Sequence, residues 1–145
     1  MKRVTLFAGL LALTLASRVS AHTQTGSLGA AASSVDFYQV TCSDDGSGPP
    51  ASLEIQIQDT TGASAPLAGV QAQRALQAAN TVDPTSGDAN ASPLAFVNGT
   101  SGVFDVLVYK TAAGADSYTL TYHCFTGPDG TGIHTGTSIV ERQNQ

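Results

Sequence analysis

Residues 52–59 read SLEIQIQD. Leu53, Ile55 and Ile57 alternate with Glu54, Gln56 and Gln58. A side-chain period of two sends the aliphatic set to one face of a strand and the polar set to the other. Residues 117–125, SYTLTYHCF, repeat the pattern, with Tyr118, Leu120, Tyr122 and Cys124 against Thr119, Thr121, His123 and Phe125. Half-buried strands must bury their apolar faces on another layer. No convincing amphipathic helix is present to supply that layer, so it has to come from further strands.

VDFYQVTC (35–42), residues 67–74, LAFV (94–97), GVFDVLVYK (102–110) and IHTGTSIV (133–140) supply them. Turn-rich stretches such as SDDGSGPP, TTGASAP, TAAGAD and TGPDGTG separate them. The pattern predicts an all-β chain, an antiparallel β-sandwich or jelly roll of about seven strands. Residues 75–79 fit either a strand or a helix, because RALQAA has helix-forming composition. Residues 80–93 read as a loop. Residues 22–34, HTQTGSLGAAASS, show no hydrophobic period and are expected to form a flexible N-terminal segment, with the sandwich domain spanning 35–145.

The first 21 residues read as a secretory signal peptide. Lys2 and Arg3 precede the uncharged run VTLFAGLLALTLA, and Val19-Ser20-Ala21 offers small residues for a peptidase. The run is short for a membrane span and Arg18 closes it. The expected product is an exported chain, secreted or periplasmic, that begins at His22. From there on, 11 acidic residues face only Arg74, Lys110 and Arg142, a formal net charge of −8. Nucleic-acid affinity depends on lysines and arginines neutralising phosphates, so nucleic acid is excluded as a partner. An anionic membrane surface is disfavoured for the same reason.

Cys42 and Cys124 are the only cysteines. An even pair in an exported chain reads as a disulfide. It would close a loop of 82 positions, worth about 4–5 kcal/mol in the chain-entropy view. Both cysteines share a face with apolar neighbours, so the bridge should be buried between the first of these strands and a late one.

The stretch GVFDVLVYKTAAGADSYTLTY (102–122) resembles the C-terminal part of the bacterial pre-peptidase C-terminal domain. DFYQVTC and PASLEIQIQD are similar to that family's opening strands. The resemblance covers about half of the chain beyond residue 21. It implies a secreted β-sandwich with an accessory or binding role for a protein or glycan partner. The acidic D-x-D-L signature of that family is missing.

No nucleophile elbow, His-Glu-x-x-His pair or positioned acid–base set is present, and the chain is expected to be a non-catalytic binding module. Asp44-Asp45-Gly46 offers too few oxygens for a calcium loop and reads as a turn. Glu54, on the polar face of its strand, reads as a solvated carboxylate. The glycine-rich run 127–132 precedes no helix and reads as a turn rather than a phosphate cradle. Asn90-Ala91-Ser92 and Asn98-Gly99-Thr100 fit the glycosylation pattern but read as loops.

Three histidines remain: His22, His123 and His134. Imidazole suits copper. After cleavage, His22 would carry a free α-amine beside its ring and could chelate a metal with both. In this one feature the chain resembles lytic polysaccharide monooxygenases and some periplasmic copper carriers, which implies copper as a cofactor. His134 follows a glycine-rich turn and is the preferred second ligand. His123 lies opposite Cys124 on its strand and is expected to be exposed. An alternative is self-association into a fibre or coat, because the polar strand faces carry Gln, Thr and Ser rather than the charges that protect sheet edges.

Overall fold

The computed structural model describes residues 22–63 and 65–145; the expected signal peptide lies outside the described residues. Among those residues there are nine strands: β1 (His22–Leu28), β2 (Asp36–Ser43), β3 (Ser52–Asp59), β4 (Ala68–Arg74), β5 (Gln77–Val82), β6 (Ala95–Asn98), β7 (Gly102–Lys110), β8 (Asp116–Phe125) and β9 (His134–Gln143). Every pairing between them is antiparallel. The order is β5-β4-β7-β2-β9-β8-β3-β6, with β1 added on β8. One layer holds β5, β4, β7 and β2; the other holds β1, β8, β3 and β6. Strand β9 belongs to both and joins them, so the sandwich is nearly a closed barrel.

The alternating residues form the core as their period requires. Leu53, Ile55 and Ile57 of β3 and Leu120 of β8 are fully buried against Val40 of β2 and Phe104, Val106 and Val108 of β7. Each such side chain contributes about 1.5–3 kcal/mol. Cys42 of β2 and Cys124 of β8 are bonded across this core, with Cα atoms 5.6 Å apart. Both are buried, and the bridge ties one layer to the other.

The strand count is nine rather than seven, and the two additions have separate causes. Residues 77–82 pair with β4 in a hairpin whose turn is Ala75-Leu76. Ala75 adopts a positive φ of 51°, and Leu76 stands out in solvent. Strand pairing here overrides the helix-forming composition of RALQAA. The other addition is β1. Instead of a structureless lead-in, residues 22–28 lie along β8 in register from His22 opposite Tyr122 to Leu28 opposite Asp116. Leu28 is buried in the core and anchors the strand. Gly26 makes the approach possible: a Cβ there would lie 2.3 Å from the Tyr118 hydroxyl.

Candidate metal centre

Strand β8 has two edges. Strand β3 takes one along residues 118–125. On the other edge, β9 pairs only with Cys124 and Phe125, through Thr135 and His134. It then turns away to β2, and β1 takes over from Tyr122 onward. The first residue of β1 and the first residue of β9 therefore meet beside His123, the β8 residue between the two pairings. This sheet topology gathers three histidines that are remote in sequence.

One ring nitrogen from each of His22, His123 and His134 lies within 4.8 Å of the others. The His22 and His134 rings stack, with centroids 5.1 Å apart and planes 11° from parallel. The His123 ring stands edge-on to His134 at 5.4 Å and to His22 at 6.0 Å. Phe125 packs edge-on against both His123 and His134. Tyr122 lies 5.8 Å from the His22 ring.

His123 is buried, at 8% exposure, contrary to the expectation from its outward face. The rings of His22, His134 and Phe125 cover it. Glu54, its cross-strand partner on β3, closes the remaining side. Glu54 Oε1 lies 3.2 Å from His123 Nδ1. The backbone N–H of His22 donates to His123 Nε2 at 3.1 Å. These two contacts assign the tautomer: Nδ1 carries the proton and Nε2 presents a lone pair. A carboxylate behind an imidazole is the usual support of a metal-ligating histidine.

The His134 tautomer follows from Thr137. The Thr137 hydroxyl donates to Thr135 O at 2.9 Å and accepts the Cys124 N–H at 3.0 Å. Its hydrogen is thus committed, and towards His134 Nε2, at 3.4 Å, the oxygen can only accept. His134 then holds its proton on Nε2 and leaves Nδ1 free. Burial, and next the neighbouring imidazoles of His123 and His22, push the His134 ring below the ordinary histidine value, against a smaller opposing pull from Asp45. The neutral imidazole is the ligating form. His22 Nδ1 is buried with no hydrogen-bond partner among the described residues. A buried polar nitrogen without a partner costs about 1–3 kcal/mol, a cost a ligand would remove.

All three histidines singled out in the sequence therefore meet in one site, and His123 contributes as fully as His134. Glu54 and Thr137 complete it: Glu54 reads in the sequence as a solvated carboxylate on the polar face of its strand, and Thr137 carries no signal of its own. Asp44 lies apart as a turn residue: its Oδ1 accepts the Gly46 and Gly48 amides at 2.8 and 3.0 Å. The glycine-rich run forms a short 3-10 turn at Pro128–Gly130 that leads into β9 and sets His134 at its start.

No family model, curated protein or solved structure matches the chain. No helix among the described residues is long and apolar enough to cross a membrane.

Proposed function

We propose that this chain is an exported copper-binding module that holds Cu(II) through the rings of His22, His123 and His134 together with the α-amine of His22. The observation that carries the reading is the convergence of three imidazoles within 4.8 Å, with the His22 backbone nitrogen 3.1 Å from His123 Nε2. Cleavage before His22 would turn that nitrogen from an amide donor into an amine with a lone pair. The amine and the His22 ring would then close one chelate, and the rings of His123 and His134 would add two more nitrogens. Nitrogen donors in a square-planar or tetragonal set favour Cu(II). Hard cations such as calcium and magnesium are disfavoured, because they take oxygen ligands.

Preorganisation supports the reading. Ordering a free N-terminal segment costs on the order of 1–2 kcal/mol per residue. Pairing along β8 and burial of Leu28 offset that cost before any metal arrives. Four nitrogen donors from the protein would also favour holding and delivering the ion over turnover, since they would leave little room on it for a substrate. The role is therefore a non-catalytic one outside the cytoplasm. The test is Cu(II) titration of protein with a verified His22 N-terminus, followed by electron paramagnetic resonance. One equivalent bound with nitrogen hyperfine structure, degraded in His123→Ala and in His134→Ala, is expected. An unchanged aquo-copper spectrum would overturn the reading.

A further inference from the structure

The disulfide stands at the point where β9 changes layers. Thr135 of β9 is opposite Cys124 on β8, and Thr137 of β9 is opposite Cys42 on β2. The crossing is made in two residues, over Gly136, where a Cβ would lie 2.5 Å from Ser43 Oγ and 2.8 Å from Ser43 O. The chain thus passes hard against β2 directly beside the bridge. His134 precedes Thr135, and His123 precedes Cys124. Thr137 adds a direct link, since its hydroxyl accepts the Cys124 N–H and contacts His134 Nε2.

We propose that the Cys42–Cys124 bridge is a redox gate on this metal site: the chain takes up copper tightly only once the bridge has closed. The proposal rests on the metal reading above and names its regulation. Both cysteines are at most 1% exposed, and their bond holds β2 and β8 together, Cα atoms 5.6 Å apart, at the crossing of β9. Opening the bond leaves the spacing of the two strands there to packing alone. Thr135 and Thr137, and with them His134, are then free to shift relative to His123. Export into an oxidising compartment closes the bridge and completes the site, so the chain would not sequester copper while its thiols are reduced. Linkage requires the converse: bound metal must make the bridge harder to open.

Two measurements on protein beginning at His22 test the coupling. In the first, Cu(II) affinity is compared between the oxidised protein and the Cys42→Ala/Cys124→Ala variant, which adds no thiol ligand. The variant is expected to bind about tenfold or more weakly, and equal affinity in a folded variant overturns the gate. In the second, a water-soluble phosphine opens the bridge of the unmutated protein, with and without Ni(II) as a redox-inert occupant of a nitrogen site. Each bridge consumes one phosphine and one water and yields two thiols and one phosphine oxide. Loading with Ni(II) is expected to slow opening by about fivefold or more. Equal rates overturn the gate even if the double variant fails to fold. Oxidised protein that binds no copper overturns the metal reading itself, and is distinguished from a failed gate by that first titration.

Discussion

The backbone nitrogen of His22 and Nε2 of His123 lie 3.1 Å apart, although 101 positions separate the residues. A peptide N–H there can only donate, so it occupies the lone pair that His123 would offer a metal. A free amine at the same place can join that lone pair in holding an ion. The chemistry of the site thus turns on whether the chain continues before His22.

The docking of β1 positions that nitrogen, and Gly26 permits the docking. Gly26→Val should drive a branched side chain into the Tyr118 ring, costing about 1–3 kcal/mol of stability. It should also displace His22 and weaken copper binding by about tenfold or more. Denaturant unfolding and copper titration read the two effects. Full copper affinity in the variant would show that β1 does not need its observed register.

Glu54 orients His123 from behind. Glu54→Ala should weaken copper binding by about 10–100-fold while leaving the fold intact. Glu54→Gln keeps an acceptor for Nδ1 and should recover part of the loss. An unchanged affinity and spectrum in Glu54→Ala would return this residue to the role of a solvated carboxylate.

The contrast between these residues shows what the sequence carried. Strands β3 and β8 were legible because their alternation is a direct consequence of half-burial. The sandwich and its bridge followed from that, together with the cysteine count. Strand β1 was not legible, since HTQTGSL has one apolar side chain and pairs by virtue of an edge that β9 vacates. Strand β5 was masked by alanines and glutamines that suit a helix equally well. The three histidines were visible as metal-ligating types, but their convergence was not. It depends on the registers of β1 and β9 on β8, and no local pattern encodes those. Glu54 was misread for the same reason, as its partner lies across the strand pair.

At the other end of β8, Asp116 gives a pH prediction. Burial first, and the charge and carboxyl of Asp59 next, hold the Asp116 carboxyl above its ordinary value of 3.8, against the hydrogen bond from Thr61. Its Oδ2 is buried without a donor among the described residues. A carboxyl whose folded value is raised binds its proton more tightly in the folded state. Its stabilising contribution is complete below the unfolded value and is lost as pH rises through the folded one. Wild type should therefore lose stability relative to Asp116→Asn as pH is raised from about 4 towards neutrality. Urea midpoints of the two proteins across that range check this. A difference that is flat, or that runs the other way, would contradict it.

The account stands on the α-amine of His22 as a ligand. The most direct measurement is copper titration by calorimetry on two proteins, one beginning at His22 and one carrying a single extra residue before it. The extra residue restores the peptide N–H to His123 Nε2 and leaves all three imidazoles in place. The account predicts that affinity falls by about 100-fold or more, the loss expected when one arm of a chelate is removed. Equal affinity in the two proteins would show that the amine takes no part and would contradict the central claim.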